Sequence, residues 1–246
     1  MKSLKTEFTS YALLGSGRVA RHFEFYLKNL GLPYTTWSRK SGTPAQLSEV
    51  VAKSSHVLFA VRDEAIDSLS QPFLKSGKTL VHFSGAIYLP GVHATHPLMT
   101  FGAELEDADW YPLIPFVTEE GHTLEKLLPG FPNRSWPIPA AARPLYHALC
   151  SLAGNFSFLL WKNIGDEFEK TLGLPRSLLQ PFLFQAVMNS AHPTAANFTG
   201  PVARGDWETV RRHLNSLHSR PDLLKAYRSY LELAKESGHR VPEALL

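Results

Sequence analysis

The chain has 246 residues, 44% of them apolar and 19% charged, which is the composition of an ordinary globular protein with room for two packed domains. Its net charge of +3, with the histidines neutral, is too small to suggest a nucleic-acid partner. A single cysteine, Cys150, excludes an intrachain disulfide and fits a reducing compartment. The opening MKSLKTEFTS lacks the apolar core of a signal peptide, and no run is long enough to span a bilayer, so a cytoplasmic, soluble protein with no membrane partner is expected.

Up to about residue 138, short β-type runs alternate with helical patterns. The first strand candidate, Tyr11–Leu14, is followed by Val19, Ala20, Phe23, Tyr26, Leu27 and Leu30 at helical spacing, and Gly31 supplies the stop. Further strands are expected at Tyr34–Trp37, Val57–Val61, Thr79–Phe83, His93–Thr95 and Leu113–Val117. Apolar strands alternating with helices indicate a parallel sheet covered on both faces. Prolines 137, 139 and 144 then break the chain, and only helical patterns follow, over roughly 142–162, 176–190, 206–218 and 221–237. The expected organisation is an α/β, Rossmann-type domain over 1–138 and an all-α domain over 139–246.

Residues 15–20, Gly15-Ser16-Gly17-Arg18-Val19-Ala20, fit the pattern G-x-G-x-x-A between the first strand and the first helix. Gly15 permits the tight turn and Gly17 lets backbone approach a pyrophosphate. Ala20 keeps the helix close to the sheet, and the helix N-terminus offers free N–H groups to the anion. Such a glycine pattern is weak alone; its position after an apolar strand and before an amphipathic helix makes it informative.

The second strand decides which dinucleotide is expected. An NAD site places an acid about 20 residues on, against the ribose hydroxyls. Here the chain reads Trp37-Ser38-Arg39-Lys40, a hydroxyl and two cations suited to a 2′-phosphate. NADP is therefore expected rather than NAD. Further along, Val61 and Arg62 end a strand on the same sheet edge, with Asp63 placed to cap the next helix. His82, Ser84 and Gly85 end another strand there, and His96 precedes a proline.

The segments GSGRVA, WSRKSG, FAVRDEAI, HFSGA, HPLMTF, RPLYHALCSLAGN and TGPVARGD together resemble a family of Rossmann-like proteins whose C-terminal helical domain has no assigned function. That family is distantly similar to pyrroline-5-carboxylate reductase, ketopantoate reductase and the 6-phosphogluconate dehydrogenase superfamily. The resemblance spans nearly the whole chain. It implies an NADP-binding oxidoreductase architecture and supplies no substrate. The chain departs from the pattern at Leu149 and Cys150, where small residues are expected, and at Gly154, where a serine is expected before Asn155.

On a helical wheel His147, Ser151, Gly154 and Asn155 share one sector, and Leu145, Leu149, Leu152, Phe156 and Leu159 lie opposite. The apolar side is expected to be buried, leaving the polar side to face an interdomain cleft. In the dehydrogenases that the chain resembles, a long helix there carries a lysine or similar donor and an asparagine. No lysine occupies this face, so His147 is the candidate proton donor and Asn155 the substrate-orienting amide. In the second constellation Asp206 is placed to cap a helix starting at Trp207. Arg204 either docks an anionic substrate or pairs with Asp206 to lock the loop.

Taken together, Ser84, His96, His147, Asn155 and Arg204 are expected to line a cleft where hydride passes between NADP and a small carbonyl, imine or hydroxy compound. The alternative is a non-catalytic NADP-binding sensor or scaffold. His93 and His96 show no carboxylate or cysteine at ligand spacing, so no metal site is expected. Neither a G-x-S-x-G elbow nor a Walker lysine is present. The apolar stretch LLQPFLFQAVM, 178–188, suggests a homodimer through the helical half.

Overall fold

The computed structural model describes residues 9–191, 194 and 197–246. Strands β1 (Tyr11–Leu14), β2 (Tyr34–Trp37), β3 (His56–Phe59), β4 (Thr79–His82), β5 (His93–Pro97), β6 (Phe116–Glu119) and β7 (Ser135–Ile138) form one sheet in the order β2-β1-β3-β4-β5-β6-β7. Strands β1 to β5 run parallel, β6 is antiparallel to β5, and β7 is parallel to β6. Between them lie α1 (Arg18–Asn29), α2 (Pro44–Ala52), α3 (Asp63–Ser70) and the single turn α4 (Leu124–Leu127).

Side-chain alternation along the strands explains the two layers. Tyr11, Leu13, Leu58 and Val81 pack with Ala20, Phe23, Tyr26 and Leu27 of α1. Ala12, Leu14, Val57, Phe59 and Leu80 pack with Leu47 and Val51 of α2 and Ile66 of α3. Both faces are covered, which is why these strands read as unbroken apolar runs.

Two departures from the sequence reading have physical causes. Residues Ala108–Leu113 form a 3₁₀ turn containing Pro112, so the sixth strand starts at Phe116 rather than Leu113. The seventh strand, unexpected because Pro137 interrupts it, lies at the sheet edge with β6 as its sole neighbour, where a missing N–H is tolerated.

The backbone divides into two compact units, Met1–Leu152 and Ala153–Leu246. The first includes α5 (Arg143–Ser151). Leu152–Phe156 is a π-helical segment, followed by α6 (Ser157–Lys170). It breaks the 3.6-residue register on which the helical wheel relied. The apolar side of that wheel is also not buried: Leu145, Leu149, Leu152, Phe156 and Leu159 are each at least half exposed.

The second unit continues with α7 (Leu179–Ala191), α8 (Pro201–Arg204), α9 (Trp207–Ser216) and α10 (Pro221–Glu236). Its core is small: Val202, Val210, Leu231, Ala234, Val241 and Leu245. Asp206 caps α9 as expected, accepting from the Thr209 backbone N–H at 3.1 Å and its hydroxyl at 2.7 Å. Among the described residues no helix is long and apolar enough to cross a membrane.

Candidate functional site

In this strand order the chain leaves β1 towards β2 on one side and β3 lies on the other, so the carboxyl end of β1 is the switch point of the sheet. Gly15 sits there with φ +142°, its N–H donating to Trp37 O at 2.8 Å. A Cβ on Gly15 would lie 2.2 Å from Ala60 O, so no larger residue fits. Gly17 caps α1 in extended conformation, with nothing within 4 Å of where its Cβ would stand. No side chain caps α1 and its first turn carries no acid, so the N-terminal N–H groups are free for an anion.

A cavity of about 620 Å³ opens at this edge. Its wall comprises 15–19, 37–40 and 59–63 together with Leu69, Phe83 and Ser84. Gly15, Ser16, Gly17, Arg18, Val19, Ser38, Arg39, Lys40, Val61 and Arg62 are thus brought together from three strand ends. Arg39 and Lys40 are exposed at the end of β2, whereas Ser38 is buried and its hydroxyl meets that of Ser41 at 2.9 Å. Asp63 does not cap α3. Arg62 holds the cap position, and the Asp63 carboxylate instead accepts from the Ser84 hydroxyl at 2.7 Å. That hydroxyl also accepts from the Ala86 N–H at 3.2 Å, so Ser84 fixes the β4 exit loop.

Beyond Ser84 lies a polar group centred on His96, at the carboxyl end of β5. Its Nδ1 is 2.7 Å from the Tyr146 hydroxyl, and its ring stands at 88° to that of His147, centroids 5.6 Å apart. Gly85 packs against both rings: a Cβ there would meet His147 Nδ1 at 2.5 Å and His96 Nε2 at 3.1 Å. His147 Nδ1 is buried and has no hydrogen-bond partner among the described residues.

Arg143, at the start of α5, is fully buried and donates from Nη2 to Ser84 O at 2.9 Å. Its Nε and Nη1 have no partner among the described residues. Burial, then the charges of His147 and Arg143, push His96 down to about 4. Burial and the Arg143 charge push His82 down to about 4 as well. Burial and the hydrogen bond with Cys150 push Tyr146 well above the usual phenol range. At neutral pH the His96–Tyr146 contact is therefore an uncharged hydrogen bond.

The structure unites Ser84, His96 and His147, all within the first unit. Asn155 and Arg204 belong to the second, where both are exposed. Arg204 makes no ion pair with Asp206, although its charge is felt there; the Asp206 carboxyl lies below its usual range chiefly through its bonds to Thr209. Sequence reasoning missed Arg143 and Tyr146. The one available signal was that Arg143 is the sole formal charge between Arg134 and Lys162, a stretch otherwise apolar or neutral.

The expectation that His93 lacks a carboxylate partner is also corrected. Its Nδ1 lies 2.5 Å from Glu119 Oε1, with His122 Nε2 at 3.6 Å from the same oxygen.

Residues 117–233 match the family model described as a domain of unknown function, DUF2520. No curated protein sequence matches the chain. Among solved structures, a Bacteroides fragilis protein named as a candidate NADP oxidoreductase is 21% identical, with a TM-score of 0.70 over 93% of this chain and 97% of that one. An Aspergillus terreus imine reductase, in complex with NADPH4 and dibenz[c,e]azepine, is 14% identical, with a TM-score of 0.54 over 97% of this chain and 98% of that one. Plasmodium falciparum pyrroline carboxylate reductase with NADP bound is 14% identical, with a TM-score of 0.55 over 93% and 99%. At these identities the likeness is one of fold. The chain is thus a Rossmann-like α/β protein with a helical C-terminal region, similar in fold to these reductases and, over 117–233, to a domain of unknown function.

Proposed function

We propose that the protein is a cytoplasmic NADP-dependent oxidoreductase that reduces a small carbonyl or imine compound, or oxidises the corresponding hydroxy compound or amine. The observation that carries the reading is the cavity at the switch point. Open backbone at Gly17, an uncapped α1 and the cations Arg18, Arg39, Lys40 and Arg62 share one wall, with no acid at the end of β2. A dinucleotide bearing a 2′-phosphate fits these donors: α1 takes the pyrophosphate, and Arg39 with Lys40 takes the extra phosphate. When bound, NADP supplies or accepts the hydride. The chain positions the partners and moves the proton.

Ser84, which lines the cavity, is followed by Gly85, whose position against His96 and His147 supports bringing these two rings to the substrate. In the reducing direction His147 would give the proton to the carbonyl oxygen or imine nitrogen. His96 is neutral at pH 7 and orients the group through Tyr146. Asn155 and Arg204 are assigned to orienting the substrate and docking an anionic group on it. We keep 1–138 as the dinucleotide-binding part and 139–246 as the substrate and dimerisation part.

One set of titrations tests the reading. NADPH should bind at least tenfold more tightly than NADH, and Arg39→Ala should remove most of that preference, about 1.4 kcal/mol per tenfold. His147→Ala should keep NADPH affinity and lose turnover against a panel of cyclic imines, carbonyl and hydroxy compounds. Equal affinity for both dinucleotides would sink the phosphate assignment. Tight NADPH binding with no turnover by the native protein would favour a sensor or scaffold.

A homodimer through the helical half is supported by the exposure of Phe182, Phe184, Leu178, Val187 and Met188. Sedimentation at micromolar concentration should give twice the mass of the chain; a monomer would contradict it.

A further inference from the structure

We propose that His93, Glu119 and His122 form a binding site for a zinc-type divalent cation, with two imidazoles and one carboxylate as ligands and a fourth position open. The site is independent of the dinucleotide cavity. None of its residues belongs to that cavity's wall.

The fold brings the three together in two steps. His93 opens β5, and the antiparallel pairing of Thr95 with Thr118 sets β6 beside it, with Glu119 as the last residue of that strand. Gly121, at φ +83°, then turns the chain back on itself, so that Glu119 and His122, three residues apart, return to one point. The Thr118 hydroxyl donates to His122 O at 3.4 Å and ties the turn to the strand.

The resulting geometry is close to that of a metal shell. His93 Nδ1 and His122 Nε2 lie 2.5 and 3.6 Å from one carboxylate oxygen, and all three ligand atoms fall within 4.8 Å of one another. The two imidazole rings are tilted against each other, centroids 4.3 Å apart. Bonds of about 2.0–2.2 Å in a tetrahedral arrangement put ligand atoms roughly 3.3–3.5 Å apart. A cation therefore needs the His93–Glu119 pair to open by about 1 Å, whereas the His122–Glu119 separation of 3.6 Å is already close to that spacing.

The donor chemistry selects the ion. Two nitrogens and one oxygen suit zinc, cobalt or nickel, whereas magnesium and calcium take oxygen shells. A second observation points the same way. The Glu119 side chain is only 11% exposed; the Ala94 N–H and His93 lie against its carboxylate, and its Oε2 makes no hydrogen bond of good geometry among the described residues. A buried carboxylate oxygen left unpaired is costly, and a cation offsets that cost directly. His122, 38% exposed, leaves an entry path from solvent.

The test uses the full-length, tag-free protein, stripped with a chelator and dialysed against Zn²⁺. One equivalent of zinc per chain is expected. Glu119→Gln and His122→Ala should each weaken binding at least tenfold. Cobalt loaded in place of zinc should give a four-coordinate visible spectrum that His122→Ala loses. His122 lies on a partly exposed turn, so its variant decides the matter even if Glu119→Gln fails to fold. Zinc below half an equivalent, or equal binding by the native protein and His122→Ala, would reduce the three residues to a hydrogen-bonded cluster and overturn the site.

Discussion

Gly15→Ala is expected to lose a large share of the protein's stability and to distort the cavity at the end of β1. The new methyl would stand 2.2 Å from Ala60 O, and the neighbour is backbone, which cannot swing aside as a side chain does. At φ +142° an L-residue is strained even where there is room. Overpacking costs about 1–3 kcal/mol and the conformation about 1–3 kcal/mol more, against a total stability on the order of 5–15 kcal/mol. A urea midpoint should fall accordingly. Gly17→Ala is the informative companion, because its φ is −80° and its Cβ would meet nothing within 4 Å. That variant should keep its midpoint to within about 1 kcal/mol yet bind NADPH at least tenfold more weakly, since the methyl occupies the space the phosphates approach. A Gly15→Ala protein with the native midpoint would show that the β1–α1 turn is not packed against the end of β3.

Acid should destabilise the first unit well before its carboxylates are protonated. His82 and His96 titrate at about 4 when folded, against an ordinary value of 6.5. Both are thus neutral in the folded chain at pH values where the unfolded chain already takes up a proton. Their contribution is complete above pH 6.5, declines as pH falls from 6.5 to about 4, and is constant below that. A shift of this size corresponds to about 3 kcal/mol for fully buried His82, and to less for His96, whose ring is partly open to solvent. Urea midpoints at several pH values between 7.5 and 4 measure the decline directly. His82→Gln should flatten most of it. A midpoint that stays level over that range would mean that His82 is charged or hydrated where the structure buries it.

Much of the first unit was legible because its physics is local and periodic. Both faces of β1 and β3 are covered, so Tyr11–Leu14 and the Val57–Phe59 part of the expected Val57–Val61 run appear as apolar stretches, and α1 follows from its spacing alone. The residues that line the cavity at the end of β1 were legible for a related reason. Glycines, a helix start and two cations recur at fixed distances from strand ends, and strand ends are what the sequence reveals best.

What stayed hidden depends on contacts distant in sequence or on breaks in periodicity. Pro137 argues against a strand unless the strand is known to be an edge. The π segment Leu152–Phe156 shifts the helical wheel, and Gly154 within it does not by itself distinguish a π turn from an ordinary helix. Glu119 and His93 are 26 residues apart, and Arg143 meets Ser84 across 59. Asp63 looked like a helix cap because the chain places it there. Only the fold supplies Ser84 as a better partner.

The β1–α1 turn has a history as well as a shape. Its geometry is held by Trp37 O on one side and the carbonyl of Ala60 on the other, so three segments spread over 46 residues must meet before it exists. Strand β1 is the second in the sheet, but both of its neighbours come later in the chain. During synthesis Gly15-Ser16-Gly17 therefore precedes both neighbours of β1 and takes its final form only once Ala60 has followed. The turn proposed to hold a phosphate is completed only with β3. A fragment that stops short of Ala60 carries the glycine motif in full and has no pocket to go with it.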